Sequence, residues 1–109
     1  MMNAVKQDVE KLVQKELESA DQKFPVFHSD YEGAAVIFEE IEESKSNQIN
    51  IELIFSHLWK GIKKDMTDIN LMNGLKREAI NLACEAIQVA AMAQKFIDSK
   101  KEREKSEGN

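Results

Sequence analysis

The chain has 109 residues, a formal net charge of −5, 42% hydrophobic residues and 32% charged residues. This length suits one domain with a single modest core, and the composition is that of a soluble globular protein rather than a disordered chain. The acidic excess argues against binding to duplex nucleic acid, and no stretch approaches the ~20 apolar residues of a membrane span.

The first predicted helix covers residues 3–21. Its apolar side chains recur at helical spacing, and they are Val5, Val9, Leu12, Val13, Leu17 and Ala20. Pro25 ends this pattern, because proline cannot donate a hydrogen bond inside a helix and forces the preceding residue out of the helical region. We therefore expect a connector around Pro25, anchored by Phe24 and Phe27.

The second and third predicted helices follow the connector. Ser29 or Asp30 can cap the second helix, with Glu32 at capping-box distance from Ser29. We expect this helix to continue to about Ser46. Asn50 can then cap a third helix, whose apolar stripe consists of Ile51, Ile54, Phe55, Leu58 and Ile62.

The last predicted helix starts at Thr67 or Asp68 and reaches Lys100. Its apolar residues are Leu71, Leu75, Leu82, Val89, Met92 and Phe96. One proline and four glycines leave few turns of the kind that separate strands. The sequence thus predicts an all-α fold of about four helices, with one domain over residues 1–100 and a charged, frayed tail over residues 101–109.

Glu85 and Gln88 interrupt the most apolar stripe of the last helix. Leu82, Val89, Met92 and Phe96 all fall within about 60° of Glu85 on a helical wheel. A buried carboxylate without a partner is costly, so Glu85 needs either a structural partner or a cation. A salt bridge to Lys60, Lys63 or Arg77 is the structural alternative.

The second helix carries a matching pair, Glu40 and Glu43, at the border of its apolar face. Glu39 and Glu42 point toward solvent. Three carboxylates brought together by the two helices repel one another, and this repulsion calls for a cation or for protonation. Oxygen ligands favour Mg²⁺, with Mn²⁺ as the alternative. The competing interpretation is that Glu39 to Glu43 form only a solvated helix face.

These acidic residues resemble a family pattern. Glu39-Glu40-Ile41-Glu42-Glu43 looks like the Glu-Glu-x-x-Glu motif of the all-α nucleotide pyrophosphohydrolases, the group of MazG and the dimeric dUTPases, in which a later helix carries Glu-x-x-Asp. More closely, the chain resembles short MazG-like proteins of Gram-positive bacteria and their phages. The matching segments are residues 16–27, residues 31–43, Leu58-Trp59 and residues 85–95.

The resemblance implies a set of metal ligands. Glu40 and Glu43 match the Glu-x-x-Glu ligands, Glu85 matches the first ligand of Glu-x-x-Asp, and Gln88 completes the site. Gln88 departs from the family pattern, because a neutral amide replaces the aspartate and removes one charge. Glu39 or Glu43 is expected to orient the attacking water and so to be catalytic.

The activity implied by the resemblance is Mg²⁺-dependent hydrolysis of a nucleoside triphosphate to a nucleoside monophosphate and pyrophosphate. The alternative is a catalytically degenerate MazG-like protein that acts in nucleotide sensing or protein interaction. The cations that can hold the outer phosphates are Lys60, Lys63, Lys64, Lys76, Arg77 and Lys95.

The resemblance also implies a helical bundle completed by oligomerisation, as a homodimer or homotetramer. Phe55 and Trp59 are expected in the core or in a subunit interface, with stacking on a base as the alternative. Residues 1–20 carry acids in place of the apolar segment of a secretory signal, and the single Cys84 fits a reducing compartment. A cytoplasmic protein is therefore expected.

Overall fold

The computed structural model describes residues 4–107, and three α-helices form most of this part of the chain. Helix α1 spans Lys6–Lys23, α2 spans Asp30–Ile62 and α3 spans Ile69–Glu107. The described residues contain no strand, so the all-α prediction is confirmed. The predicted start of the first helix, at residue 3, lies outside the described residues. None of the three helices combines the length and the apolar character needed to cross a membrane.

The connector between α1 and α2 begins and ends as expected. Phe24 donates a backbone hydrogen bond to the Ala20 carbonyl at 3.0 Å, and Pro25 follows directly. At the other end, the Ser29 hydroxyl accepts a hydrogen bond from the Glu32 backbone N–H at 3.0 Å. Ser29 is thus the N-cap of α2, which confirms the capping prediction.

The prediction of four helices is wrong, because the expected second and third helices form the continuous helix α2. Residues 44–50 are polar except for Ile49, and they contain neither glycine nor proline, so nothing in them breaks a helix. The Ser44 hydroxyl donates to the Glu40 carbonyl at 3.0 Å, one turn earlier. The Asn47 amide donates to the Glu78 carboxylate of α3 at 2.9 Å. These polar residues therefore contribute to the pairing of α2 with α3 and do not form a turn.

A tight turn reverses the chain between α2 and α3. The Met66 backbone N–H donates to the Gly61 carbonyl at 2.8 Å, and Asp65 has the positive φ of 56° that such a reversal requires. The Asp68 carboxylate then accepts from the Asn70 N–H at 2.9 Å. Asp68 therefore marks the start of α3, one of the two predicted positions.

Helix α3 continues beyond the predicted end at Lys100 and includes residues 101–107, where the sequence predicts a frayed tail. Contacts with the connector explain this extension. The Arg103 guanidinium donates to the Phe27 carbonyl at 2.6 Å and also pairs with the Asp30 carboxylate. The Lys100 ammonium reaches Asp30 at 2.8 Å. Residues 108–109 lie outside the described part of the chain.

Helices α2 and α3 form an antiparallel hairpin, and α1 packs against α3. The main core cluster contains Leu17 of α1, Phe27 of the connector, and Ala91 and Met92 of α3, all buried. Helix α1 has 18 residues and α3 has 39, so α1 covers less than half of the hairpin. The rest is a two-helix arm, defined here as residues 48–62 of α2 and 69–81 of α3. The fold is accordingly elongated, with extents of 69 × 28 × 25 Å.

Candidate metal site and adjoining cleft

Three carboxylates converge where α2 faces α3. Glu40 and Glu43 lie one turn apart on α2, and Glu85 faces them from α3. Carboxylate oxygens of the three residues all lie within 4.8 Å of one another. Glu40 and Glu85 are half-buried, whereas Glu43 is exposed. The antiparallel hairpin thus brings together the three acidic residues that the sequence places on inward-facing or border positions.

Gln88 completes the group, and we call these four residues the carboxylate site. With its amide nitrogen turned toward the acids, Gln88 donates to Glu40 Oε2 at 2.7 Å and to Glu85 Oε2 at 3.1 Å. This orientation is the one that satisfies the hydrogen bonds, because the opposite orientation would set an amide oxygen against carboxylate oxygens. All four predicted metal ligands therefore lie side by side.

The proximity of the acids changes their protonation. Burial, together with the hydrogen bond and the negative charge of Glu43 and the charge of Glu40, raises the pKa of Glu85 to about 7. Burial also raises the pKa of Glu40, and the charge of Glu43 adds to this effect. The carboxylate site consequently binds a proton in the neutral pH range when no cation offsets its charge.

The structural alternative for Glu85 was a salt bridge to a basic residue. Among the described residues, no salt bridge joins Glu85 to Lys60, Lys63 or Arg77. The near neighbours of Glu85 at the site are instead two acids and an amide. Repulsion within the site is therefore relieved by protonation, by Gln88 or by a cation.

The donor set fits a small hard cation. Three carboxylates and one amide supply oxygen ligands, which suit Mg²⁺ and Mn²⁺. Octahedral coordination at ~2.1 Å places ligand oxygens about 3 to 4.2 Å apart. The carboxylate oxygens, now within 4.8 Å of one another, need to close by at most about 0.6 Å for a trans pair and about 1.8 Å for a cis pair. Gln88 would have to rotate its amide so that the oxygen faces the ion.

Glu39 lies outside this convergence. Its side chain is exposed, and the group of three acids with converging oxygens does not include it. Glu43 is also exposed, but it belongs to the site. The predicted role of Glu39 or Glu43 in orienting water stays a prediction, and the geometry favours Glu43 because only Glu43 borders the other ligands.

A cleft of about 490 Å³ adjoins the carboxylate site. It shares Glu40 and Gln88 with the site, and residues of α1, the connector, α2 and α3 line it. Its lining consists of Glu16, Ser19, Ala20, Lys23, Phe24, Phe27, Glu32, Val36, Glu40, Gln88, Met92 and Lys95. The cleft has room for a small organic ligand, because binding pockets of this kind measure roughly 300 to 1,000 Å³.

Sequence reasoning missed the contribution of α1 to this cleft. Glu16, Ser19 and Lys23 line it, although none of them is among the site residues predicted from the sequence. Their spacing does carry a signal, since Glu16, Ala20 and Lys23 share one helix edge beside the buried Leu17. The sequence alone does not reveal that this edge faces α3.

The predicted phosphate-binding cations are dispersed. Of the six, Lys95 alone lines the cleft in the described part of the chain. Lys60 and Lys64 line a separate depression near the turn between α2 and α3. Lys63 lies over the Trp59 ring, 5.6 Å from its centroid. Lys76 and Arg77 are exposed on α3.

The aromatic pair of the arm lies outside the cleft. Phe55 and Trp59 pack in a tilted arrangement with ring centroids 6.2 Å apart, and Trp59 is 50% exposed. Neither residue lines the cleft or belongs to the core of the chain as described. Of the predicted roles, core packing is excluded, and a place in a subunit interface or stacking on a base stays a prediction.

Comparisons of the chain with protein-family models, with curated proteins and with solved structures each found no match. The fold and the site define an all-α protein that has four oxygen-bearing side chains at one point of a helical hairpin.

Proposed function

We propose that the chain is a MazG-like nucleotide pyrophosphohydrolase, which converts nucleoside triphosphates to nucleoside monophosphates and pyrophosphate with Mg²⁺, or with Mn²⁺ in its place. The observation that carries this proposal is the convergence of Glu40, Glu43, Glu85 and Gln88. At Glu40, Glu43 and Glu85 the sequence resembles the metal ligands of that family, and Gln88 stands where the family has aspartate. The adjoining cleft supports the proposal because it is large enough for part of a nucleotide.

Each residue has a distinct task in this proposal. A bound Mg²⁺ supplies charge neutralisation at the phosphates and lowers the pKa of a bound water. Glu40 and Glu85 hold the cation from opposite helices. Glu43 is exposed, so it can accept a hydrogen bond from a water that approaches from solvent and orient it for attack on the α-phosphorus.

The experiment is an assay of pyrophosphate release with a panel of ribonucleoside and deoxynucleoside triphosphates and Mg²⁺. Glu40→Gln is expected to lower the rate by about 100-fold or more, because it removes a charged ligand. Glu42→Gln is the matched control, since Glu42 is an exposed acid of the same helix that pairs with Lys45. The proposal fails if no nucleotide turns over faster with the wild-type protein than with Glu40→Gln.

A second candidate function is nucleotide sensing or protein interaction without catalysis. The hydrogen bonds from Gln88 to Glu40 and Glu85 favour it, because they stabilise the carboxylate site without a cation. Nucleotide binding in the absence of any turnover, measured by calorimetry, would select this function over hydrolysis.

We also propose that the chain assembles as a homodimer or homotetramer in the cytoplasm, with the arm in the interface. The arm exposes large apolar side chains, namely Ile49, Leu53, Phe55, Trp59, Ile62, Ile69, Met72 and Ile80. Such a concentration is typical of an interaction surface. Sedimentation should give a multiple of the 12.4 kDa chain mass, and Leu53→Glu should shift it toward the monomer. A monomeric wild-type protein would contradict this assembly.

A further inference from the structure

Lys95 is a buried lysine for which the fold provides few partners. Only 4% of the residue is exposed. Its ammonium donates to the Phe24 carbonyl and lies 4.7 Å from the centroid of the Phe27 ring. Among the described residues, Lys95 makes no salt bridge. A positive charge is thus held in the core with a neutral oxygen and an aromatic face as its neighbours.

This arrangement leaves hydrogen-bonding capacity available in the cleft. An ammonium has three donors, and the Phe24 carbonyl accepts one of them. The aromatic face offsets part of the cost of burying the charge, but it supplies no hydrogen-bond acceptor of ordinary strength. Because Lys95 also lines the cleft, an anionic group bound there would satisfy the remaining donors.

The distance between Lys95 and the carboxylate site determines how long a ligand must be to contact both. Lys95 is seven residues beyond Gln88 on α3, which corresponds to about 10 Å along the helix axis. Long side chains on a helix lean toward its N-terminus, and this direction brings the Lys95 ammonium closer to Gln88. A single phosphate is too small to bridge the two positions, whereas a polyphosphate chain is long enough.

We propose that Lys95 binds the phosphate group farthest from the metal site, so that the cleft holds a polyphosphate between a divalent cation at the carboxylate site and the Lys95 ammonium. This inference rests on the proposed function, because it names the residue that receives the outer end of the triphosphate. Lys23, at the end of α1, lines the same cleft and adds a second positive charge.

The charges of the cleft also set an order of binding. Glu16, Glu32 and Glu40 line it together with the two lysines, so the protein alone repels a polyanion. A divalent cation at the carboxylate site reverses this balance. Polyphosphate binding therefore requires Mg²⁺.

The test uses inorganic tripolyphosphate as the probe and calorimetry as the measurement, on the full chain, with Mg²⁺ and with EDTA. Lys95→Met keeps the apolar stem and removes the charge. It should weaken Mg²⁺-dependent tripolyphosphate binding by about tenfold to 100-fold, the loss expected for a charge-assisted hydrogen bond. Affinity for Mg²⁺ alone should not change. Lys95→Arg keeps the charge and should retain most of the binding.

Ser99→Ala is the matched control for a purely structural role of Lys95. The Ser99 hydroxyl accepts a hydrogen bond from the Phe27 N–H at 2.9 Å, so this variant also loosens the connector but leaves the cation in the cleft. It should bind tripolyphosphate as the wild type does. Equal losses in Ser99→Ala and Lys95→Met would overturn the proposal, as would unchanged binding in Lys95→Met or no binding by the wild type.

Failure of this inference is distinguishable from failure of the proposed function. Turnover of a nucleotide with unchanged tripolyphosphate binding in Lys95→Met would reject the role of Lys95 alone. No turnover, with weaker binding in Lys95→Met than in Ser99→Ala, would reject hydrolysis and retain the binding site. If Lys95→Met does not give a helical circular dichroism spectrum, Lys95→Gln takes its place, because its amide can still donate a hydrogen bond but carries no charge. Binding by Lys95→Gln as strong as by Ser99→Ala would contradict the proposal, and weaker binding supports it.

Discussion

The amide nitrogen of Gln88 lies 2.7 Å from Glu40 Oε2, and this hydrogen bond joins α3 to α2 where three carboxylates meet. A second bond to Glu85, at 3.1 Å, means that one neutral side chain serves two acids. Gln88 thereby relieves repulsion that a cation would otherwise have to offset. The same bonds must be given up when the amide oxygen turns toward an ion.

Replacement of Gln88 by aspartate should strengthen cation binding. The new carboxylate adds a charge to the site and removes the two amide hydrogen bonds that compete with the ion. We expect Mg²⁺ affinity to rise about tenfold, equivalent to ~1.4 kcal/mol, with a lower melting temperature in EDTA. Calorimetry and thermal unfolding measure the two effects.

The control for this substitution is Asn73→Asp, which adds the same charge at an exposed position near the start of α3. It should leave Mg²⁺ affinity unchanged. An unchanged or weaker affinity in Gln88→Asp would mean that residue 88 does not face the ion.

The raised pKa of Glu85 predicts a pH-dependent stability in the absence of metal. An isolated glutamate titrates near 4.5, and Glu85 titrates at about 7 in the folded protein. Between these values the folded state binds more protons than the unfolded state, so this group's contribution to the free energy of unfolding falls as the pH rises. Below about 4.5 the contribution is fully present, and above about 7 it is lost.

Glu85→Gln tests this dependence, because glutamine resembles the protonated acid at every pH. Melting temperatures in EDTA should be similar for the two proteins at about pH 5 and higher for Glu85→Gln at about pH 8. A difference of a few degrees is expected, since 1 kcal/mol corresponds to roughly 4 °C or more in a domain of this size. Parallel pH profiles would show that Glu85 titrates normally.

Mg²⁺ binding should release protons below neutral pH. A carboxylate must be deprotonated to bind the cation, and the raised pKa values of Glu85 and Glu40 keep a proton in the site as the pH falls toward 6. Affinity should therefore increase from about pH 6 to about pH 8. Calorimetry in buffers of different ionisation enthalpy counts the protons released. A pH-independent affinity would argue against coordination by Glu85.

Gly33 should be intolerant of a side chain. A Cβ at this position would lie 2.6 Å from Phe96 and 3.0 Å from Phe27, closer than van der Waals contact allows. We expect Gly33→Ala to destabilise the protein by about 1–3 kcal/mol, the usual cost of overpacking. Denaturant unfolding provides the measurement.

Gly74→Ala is the control for Gly33→Ala, because its Cβ would meet only Ile54, at 3.8 Å. Alanine there should stabilise α3 by roughly 0.5–1 kcal/mol through helix propensity. If both substitutions changed the free energy of unfolding in the same direction, that result would contradict the close packing of α2 on α3 at Gly33.

The sequence predicted the helical class and the inward or border positions of the three acids because both depend on local periodicity. Glu40, Glu43 and Glu85 were identified by their angular positions on two helices, which do not change when helices lengthen. The helix count was wrong because the residues between Ser46 and Asn50 were interpreted as a break. The partner of Asn47, Glu78, lies on another helix, and a single-helix pattern cannot reveal such contacts.

The residues that line the cleft were harder to predict from the sequence than the helices, because they come together only in the tertiary structure. Nothing in the sequence marks Lys23 and Glu16 as site residues, and only the packing of α1 against α3 places them at the cleft. In the sequence, Lys95 was one of six equivalent candidates for phosphate binding. Its burial in the structure distinguishes it from the other five.

Cation binding by the carboxylate site is the central claim, and diffraction from crystals soaked in Mn²⁺ tests it most directly. Mn²⁺ scatters anomalously and prefers the same oxygen ligands as Mg²⁺. We predict an anomalous peak bounded by Glu40, Glu43 and Glu85, with the Gln88 amide rotated so that its oxygen faces the ion. The absence of a peak, with Gln88 still donating to Glu40 and Glu85, would contradict the claim.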